Sequence, residues 1–319
     1  MHLFAAFPLR PEALHIPDGF LSVPVSIVFW LASLAVIGLA VRRLDRTGIE
    51  QATPLMGIMA AFIFAGQMIN FPIAGGTSGH LLGGVLAAVM LGPWAGILVM
   101  TTVIGVQALV FQDGGLLALG ANVFNMGILT VVVGGGLHGR LRGRSPGMQL
   151  AAAGFAAWVS VLAGAVATAL QLWLSGTADL GVVMPVMSGF HAVIGLGEAL
   201  ITIGALSFIR RSRPDLLDGA GDIQARGWIA SGLAVAGGVL LLAPLASAFP
   251  DGLERVAEDL GFIGAAQDPT FNLLPDYTVP ALGETGLSTI AAGLAGIVVV
   301  VLLFYLAGRL RRGRSGSGS

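Results

Sequence analysis

The chain has 319 residues, of which 16 are basic and 17 are acidic, so only 10% of it is charged. A soluble domain carries about 25% charged residues, and a chain with 55% apolar residues, 48 glycines and a mean hydropathy of +0.89 cannot cover a water-facing surface. The composition excludes a large soluble enzyme and predicts an all-α polytopic membrane protein.

Two residue types that the chain lacks narrow its function further. All 16 basic residues are arginine, which excludes the phosphate-binding G-x-x-x-x-G-K-[ST] loop and lysine Schiff-base chemistry. The chain also has no cysteine, so disulfides, iron–sulfur clusters and thiolate metal sites are excluded. We therefore expect no ATPase activity from this chain, and we expect any metal to be bound by nitrogen, oxygen or methionine sulfur.

Eight apolar stretches are long enough to cross a membrane, for which about 20 residues are needed. They occupy residues 24–41, 54–71, 94–111, 116–137, 150–174, 182–209, 228–249 and 287–306. A ninth candidate, residues 80–91, has only 12 residues and ends before Gly92-Pro93. Length alone leaves open whether this ninth segment crosses.

The arginines predict the topology. Fourteen of the 16 fall in four clusters, at residues 42–46, 140–144, 210–226 and 309–314. Arginine is enriched in cytoplasmic loops, and all four clusters share one side only if the short segment 80–91 also crosses. The prediction is nine crossings with the N-terminus outside and the C-terminus in the cytoplasm. Inside a bundle, neighbouring helices can pair the backbone groups of so short a third helix.

A polar, arginine-rich stretch divides the chain into two predicted parts. Residues 14–213 form a seven-helix bundle, residues 214–227 a cytoplasmic linker, residues 228–308 a two-helix hairpin, and residues 309–319 a cytoplasmic tail. The hairpin has a 37-residue extracellular loop, 250–286, with seven acidic residues and one arginine. We attribute the shortage of arginine in this loop to topology rather than to cation attraction.

Two histidines fall in turn-rich segments on the predicted outer side. His15 precedes Pro17-Asp18-Gly19, which suits a β-turn. His80 ends the stretch 75–80, GGTSGH, whose glycines allow the backbone to fold back over a site. A turn that enters the first helix would explain His15 equally well, and a helix cap would explain His80. Residue chemistry alone therefore leaves their function open.

Three stretches resemble the CbiM/NikM family, the membrane components that capture the substrate of energy-coupling-factor transporters for cobalt and nickel. They are HIPDGFL at residues 15–21, QMINFPIAGGTSGHLLGG at 67–84 and FQDGGLLALGANVFNMG at 111–127. The final hairpin, with PDGLE at 250–254 and PDY at 275–277, resembles the PDGLE/NikN-type accessory component, here fused to the first. Together the resemblances cover nearly the whole chain.

The resemblance implies a metal site made of nitrogen atoms. In the family the mature chain begins Met-His-Ile-Pro-Asp-Gly, and the ligands are the α-amine, the backbone nitrogen and imidazole of the second residue, and the imidazole that ends GTSGH. By motif these correspond to the nitrogen atoms of Leu14 and His15 and the ring of His80. Four nitrogens in a plane suit Ni²⁺ or Cu²⁺ and accept Co²⁺, whereas Zn²⁺ prefers a tetrahedron. The expected transported metal is Co²⁺ or Ni²⁺, and no cofactor is expected.

The start of the chain departs from the family pattern, because thirteen residues precede Leu14. Pro8, Pro11 and Glu12 interrupt the apolar run that a secretory signal needs. We expect residues 1–13 to be either a start assigned too early, with Leu14 encoded by an initiator leucine codon, or a leader that is removed by proteolysis. A site built on Met1 and His2 is a third alternative, but it lacks the Ile-Pro-Asp-Gly stretch.

Several polar residues inside the bundle are candidates for supporting or gating this site. They are Gln67, Asn70, Gln112, His191 and Glu198. An ionisable residue within a span usually faces the protein interior or a wet cavity, and for Glu198 we favour structural pairing over metal transit. We expect the side-chain amides to form hydrogen bonds in the bundle or to orient His15 and His80.

The predicted function is that of a Co²⁺ or Ni²⁺ capture subunit without catalytic chemistry in a bacterial or archaeal plasma membrane. As the resemblance implies, its partners would be a transmembrane coupling subunit and two cytoplasmic ATPases, beside membrane lipid, and nucleic acid is not expected. We expect the hairpin to dock on the metal loop from outside. One alternative is an ion-driven secondary metal carrier, which usually shows paired broken helices in two halves. Another is an intramembrane metalloenzyme, for which His191 and Glu198 offer too few ligands.

Overall fold

A computed structural model of the chain describes residues 15–45, 49–141, 143–216 and 226–315. The regular secondary structure of these residues is helical apart from two short antiparallel strands, β1 (Phe71–Ile73) and β2 (Thr77–Gly79), in which Phe71 pairs with Gly79. The α-helices are α1 (Val23–Asp45), α2 (Ile49–Gln67), α3 (Gly84–Leu91), α4 (Pro93–Val106), α5 (Leu119–Asn122), α6 (Thr130–Gly139), α7 (Pro146–Leu174), α8 (Leu180–Ser212), α9 (Arg226–Leu240), α10 (Gly252–Asp259) and α11 (Gly286–Ser315).

The lengths of the helices support a membrane protein. Six apolar helical segments are long enough to cross: Val23–Asp45, Pro93–Phe111, Leu119–Gly139, Pro146–Leu174, Leu180–Ser212 and Gly286–Leu310. Two more, Thr53–Gln67 and Ile229–Leu245, are apolar but shorter. Leu31 and Leu200 are 64% and 70% exposed, which suits contact with lipid rather than with water. The predicted nine crossings and their orientation stay predictions.

Several helix ends differ from the sequence prediction. Helix α2 stops at Gln67 instead of residue 71, because Phe71 precedes Pro72 and a residue before proline disfavours helical backbone. Helix α11 continues to Ser315, through the start of the predicted tail, since arginine is a strong helix former and its charge suits a helix C-terminus. The predicted spans 94–111 and 116–137 each contain a π-helical segment, Gln107–Phe111 and Val123–Leu129. Such turns are frequent at functional sites.

The short helix α3 lies inside the bundle. Six of its eight residues are buried, including Val85 and Leu86, and it packs against α4, α6 and α7. Its surroundings are therefore mainly protein, which is the environment that a helix too short to span the hydrocarbon requires.

The N-terminal bundle and the C-terminal hairpin share one apolar core. Phe64 of α2, Leu240 of α9 and Phe304 of α11 belong to the same buried cluster, because α2 packs against both α9 and α11. A second cluster joins Ile16 of the N-terminal turn to Val256 of α10. This second cluster lies at one end of the bundle, which we call the histidine end because it holds His15 and His80.

Candidate metal centre

His15 lies in a turn that two polar side chains hold in place. The Asn122 amide pairs with the backbone of Ile16, accepting from its N–H and donating to its carbonyl, both at 3.0 Å. The Asp18 carboxylate accepts two backbone N–H groups of loop 116–118, each at 3.0 Å. The position of His15 is therefore fixed by the loop that follows α4.

The imidazole of His15 is 2% exposed and uses one of its two nitrogens. Nδ1 donates to Oδ1 of Asp113 at 2.7 Å, so the lone pair of the neutral ring is on Nε2. Nε2 is buried and has no hydrogen-bond partner among the residues that the structure describes. Buried polar atoms nearly always have a partner, and a buried lone pair without a donor suits a cation.

The ring of His80 lies beside the ring of His15. Its Nδ1 donates to the carbonyl of Leu81 at 3.0 Å, so Nε2 carries the lone pair here as well. The ring centroids of His15 and His80 are 6.1 Å apart and the rings are tilted by 51°. A metal–nitrogen bond of about 2.0–2.1 Å places an ion about 3 Å from a ring centroid. The separation of the two centroids therefore fits one ion between the rings.

The chain directly after His80 is anchored by two of the predicted supporting residues. The fully buried carboxylate of Glu198 accepts the backbone N–H of Leu82 at 2.7 Å and that of Gly83 at 3.0 Å. Gln67 donates from Nε2 to the carbonyl of Leu82 at 2.8 Å. In this structure Glu198 thus makes a structural pairing with backbone amides at the start of α3.

Sequence reasoning missed Asp113, the residue that orients His15. Its carboxylate accepts from His15 through Oδ1 and from the hydroxyl of Tyr277 through Oδ2, at 2.7 and 2.6 Å. Burial alone would raise the pKa of Asp113, but the His15 imidazole and the two hydrogen bonds outweigh it and lower the pKa. A carboxylate behind a metal-binding histidine is a common arrangement. The signal in the sequence was that Asp113 is the only acidic residue between Glu50 and Asp179.

The glycine after Asp113 permits this contact. Gly114 has φ +95°, and a Cβ there would lie 2.7 Å from Cβ of His15. A side chain at this position would therefore displace the His15 turn.

The other two predicted ligands are the amine of Leu14 and the backbone nitrogen of His15. Leu14 lies outside the described residues, so its amine stays a prediction. The backbone nitrogen of His15 can chelate together with its own ring only through Nδ1, because Nε2 points away from the backbone. Nδ1 is bonded to Asp113 in this structure. Nδ1 cannot donate to Asp113 and bind the metal together with the backbone nitrogen at the same time. Binding through Nε2, in contrast, leaves the hydrogen bond to Asp113 in place.

Two further predicted residues connect the bundle to the C-terminal region. The backbone carbonyl of Asn70 accepts from the N–H of Ser247 at 2.7 Å. Oε1 of Gln112 accepts from the N–H of Leu273 at 3.2 Å. Both residues thus secure the C-terminal region at the histidine end.

His191 lies beside the site, on α8. It lines the same cavity of about 80 Å³ as His15, His80 and Asp251, which has room for an ion and a few waters. Its Nδ1 donates to the carbonyl of Met187 at 2.8 Å. Asp251 lines the cavity from the C-terminal loop, and the burial of its carboxyl group raises its pKa to about 7.

The PDGLE stretch, 250–254, contacts the hairpin of strands that leads to His80. Thr77 donates from its hydroxyl to the carbonyl of Pro250 at 3.0 Å. Ser78 donates from its backbone N–H to the same carbonyl at 2.8 Å and from its hydroxyl to the carbonyl of Phe249 at 2.8 Å. The loop of the C-terminal hairpin therefore docks on the strands that lead to His80, a contact between the hairpin and this segment that we expected from the sequence.

The fold and the site define a helical membrane protein that carries a candidate two-histidine metal site at one end of its bundle. Residues 15–216 match the family described as the cobalt uptake substrate-specific transmembrane region, CbiM, and residues 226–313 match the PDGLE domain. The chain belongs to the CbiM family, with a PDGLE domain in the same polypeptide.

Known proteins resemble the chain over most or part of its length. A protein of Archaeoglobus fulgidus, whose name includes the words fused nickel transport protein NikMN, is 38% identical over 94% of this chain and 99% of its own. The cobalt transport protein CbiM of Sorangium cellulosum is 36% identical over 64% of this chain and 95% of its own. A crystal structure of a transition metal transporter is 32% identical with a TM-score of 0.58, covering 66% of this chain and all of the other.

Proposed function

We propose that this chain is the substrate-capture subunit of an ATP-driven importer for Co²⁺ or Ni²⁺. The observation that carries the proposal is the buried Nε2 of His15, which has no hydrogen-bond partner among the described residues while Asp113 holds the other nitrogen, in a ring 6.1 Å from that of His80. Relatives named as nickel and cobalt transport proteins support metal uptake as the function. In this proposal the histidine end faces outward and the arginine clusters face the cytoplasm.

The proposed ligands are the rings of His15 and His80, joined by the amine of Leu14 and the backbone nitrogen of His15. The rings are supported by the geometry described above. The full four-nitrogen set requires Nδ1 of His15 to leave Asp113, and it requires a chain that begins at Leu14. The intact mass of the native protein tests that start, since a chain that retains residues 1–13 has no free amine beside His15.

Binding is tested on the full chain in lipid nanodiscs, with its N-terminus verified by mass. Isothermal titration with Ni²⁺ and with Co²⁺, each in competition with Zn²⁺, measures affinity and preference. We expect tight binding of one ion per chain and its loss in His80→Ala. His138→Ala is the matched control, because His138 lies in the last turn of α6 and does not line the cavity that His15 and His80 share. Unchanged affinity in His80→Ala would disprove the site.

A one-residue insertion between Leu14 and His15 tests the peptide part of the ligand set. The insertion moves the amine away from the His15 backbone nitrogen but keeps both rings. Loss of tight binding supports four nitrogens, and retained binding restricts the site to the two imidazoles.

Transport requires partners in this proposal, because the chain has no lysine for a phosphate-binding loop. The partners are a transmembrane coupling subunit and two cytoplasmic ATPases. In vesicles, we expect radioactive Ni²⁺ or Co²⁺ to accumulate only when the partners and ATP are present. Accumulation by the chain alone, driven by a proton gradient, would instead support a secondary carrier.

A further inference from the structure

A second cavity, which we call the interhelical cavity, lies between the N-terminal bundle and the C-terminal hairpin. It has a volume of about 380 Å³, and residues of α2, α3, α8 and α9 line it. On α8 the lining residues lie near the C-terminal end of the helix and include Ser212. Ser212 comes 14 residues after Glu198 on this helix, which is about 21 Å along the helix axis. This end of the cavity is therefore remote from the carboxylate that anchors the His80 loop.

The interhelical cavity leads from an exposed apolar surface to a buried helix. Phe208 of α8 and Val235 of α9 are 58% and 39% exposed, whereas Leu86 of α3 has no exposed surface. Helix α9 packs mainly against α2, and the cavity occupies the space between α9 and α8. Exposed apolar side chains of a membrane-spanning helix suit contact with lipid, so the cavity is accessible from the hydrocarbon of the membrane.

The size and the walls of the cavity indicate what fills it. Protein interiors are close-packed and have few voids larger than a water molecule. A volume of about 380 Å³ lies within the range of ligand pockets, about 300–1,000 Å³. An ordered water needs about 2–4 polar partners, which walls made of residues such as Phe62, Leu86 and Met90 do not offer. A hydrocarbon chain matches these walls, and the membrane supplies it.

One end of the cavity is polar and basic. Among the residues that the structure describes, the polar ones in its lining are Ser212, Arg213 and Ser231. Arg210 and Arg211 lie in the last turn of α8, and Arg210 donates to neutral oxygens, those of the Pro146 carbonyl and the Gln149 side chain. The stretch 210–226 holds four arginines and three aspartates, so it keeps a net positive charge. Basic pockets between transmembrane helices bind anionic lipid head groups.

We propose that the interhelical cavity binds one anionic phospholipid, with an acyl chain between α8 and α9 and the phosphate at the arginine end. This inference goes beyond the proposed function and does not depend on the metal site. The bound lipid fills the space between the CbiM region, which contributes α8, and the PDGLE domain, which contributes α9. It therefore stabilises the packing of the two regions against each other.

The test uses the full chain in detergent. It is titrated with phosphatidylglycerol and with phosphatidylcholine of the same acyl chains, and native mass spectrometry counts the lipids that each chain retains. We expect one phosphatidylglycerol per chain, retained more strongly than phosphatidylcholine. Water-soluble glycerol phosphate should not displace it, because it has the phosphate but not the acyl chain.

Arg213→Gln tests the position of the phosphate. Arg211→Gln is the matched control, because it removes the same charge at the same helix end from an exposed residue that does not line the cavity. We expect Arg213→Gln to raise Kd for phosphatidylglycerol about 5-fold, which corresponds to about 1 kcal/mol for one basic residue beside an anionic lipid. Arg211→Gln should leave this Kd unchanged.

Ala205→Phe tests the position of the acyl chain, because Ala205 lines the cavity from α8 and a phenyl ring there occupies its space. Ala151→Phe is the matched control, since Ala151 is exposed on α7. We expect Ala205→Phe to lose retention of both lipids and Ala151→Phe to keep it. If Ala205→Phe does not fold, Val235→Trp blocks the cavity from α9 instead.

Three results would overturn the inference. The first is equal retention of the two lipids by the wild-type chain. The second is an equal loss of affinity in Arg213→Gln and Arg211→Gln, which would assign the preference to general surface charge. The third is undiminished lipid retention in a folded Ala205→Phe or Val235→Trp variant. If such a variant instead no longer copurified with the coupling subunit, the cavity would be a docking site for a protein.

Discussion

The carboxylate of Glu198 offers a sharp test of how the His80 loop is held. It accepts two backbone N–H groups, from Leu82 and Gly83, at 2.7 and 3.0 Å, in a position with no exposure. Glu198→Gln keeps the size of the side chain but replaces one acceptor oxygen with an NH₂ group. That NH₂ faces an N–H, so at least one of the two hydrogen bonds is lost.

The expected size of the effect follows from the number of bonds lost. Leaving a buried N–H without its acceptor costs about 1–3 kcal/mol, and a tenfold change in Kd corresponds to about 1.4 kcal/mol. If the whole loss appears as disorder of the loop before the ion binds, Kd for Ni²⁺ rises by about 5- to 150-fold. That range is the upper bound for a variant that still folds.

Two measurements on Glu198→Gln test this reasoning. Titration with Ni²⁺ gives Kd, and hydrogen–deuterium exchange followed by mass spectrometry reports the opening of residues 77–84. Glu258→Gln is the matched control, because it makes the same chemical change on the exposed face of α10. We expect faster exchange and weaker binding in Glu198→Gln alone.

The two measurements distinguish the ordering of residues 77–84 by Glu198 from the effect of that ordering on metal binding. Unchanged exchange at residues 77–84 would refute the role of Glu198 in holding the loop. Faster exchange with unchanged Kd would show that the loop is held by Glu198 but that its order does not limit binding.

Three further predictions concern the docked α10 and the protonation of the site. Gly252→Ala would bring a Cβ to 2.8 Å from Cε1 of His191, so we expect α10 to be displaced and Kd for Ni²⁺ to rise in titration. Burial raises the pKa of Asp251 from 3.8 to about 7, so the folded protein holds a proton that the unfolded chain has lost. Stability should therefore fall as the pH rises through about 7, and Tm between about pH 5 and about pH 8 should fall less in Asp251→Asn. Titration at lower pH should give a higher Kd, because both imidazoles must be deprotonated to bind metal.

Each of these predictions has a control or a contradicting result. Gly264→Ala controls for Gly252→Ala, since a Cβ at Gly264 would meet no described atom within 4 Å, and equal Kd values in the two variants would contradict the packing argument. A pH dependence of Tm that is the same in Asp251→Asn and wild type would assign it to other groups. A Kd that does not depend on pH would be incompatible with imidazole ligands.

The sequence was most informative where structure depends on local properties. Apolar length predicted the long helices, because a span needs about 20 apolar residues: the predicted span 150–174 lies within the helix Pro146–Leu174. Helix ends were less predictable: α2 stops at Gln67 where the chain turns into β1. The π-helical segment Gln107–Phe111 has no sequence pattern of its own, and the N–H of Asp113, just after it, donates to the carbonyl of Gln107 at 3.1 Å.

In the candidate site, motifs pointed to the histidines but not to what orients them. Asp113 is 98 residues from His15 and 164 from Tyr277, and such contacts exist only after the helices have packed. Glu198 was predicted to have a structural partner because of its depth. Its partners are backbone N–H groups, which every residue except proline has and which leave no mark in the sequence.

The residues that support the two rings lie in different parts of the molecule, and the PDGLE domain contacts both sets of supports. His15 is held through Asp113, which Tyr277 fixes from the C-terminal region. His80 follows a strand whose Ser78 is bonded to the backbone of Pro250, while Glu198 anchors the chain on its other side. The 6.1 Å between the rings is therefore set jointly by α8, by the loop after α4 and by the C-terminal loop. A displacement of the C-terminal loop would therefore act on the supports of both histidines at once.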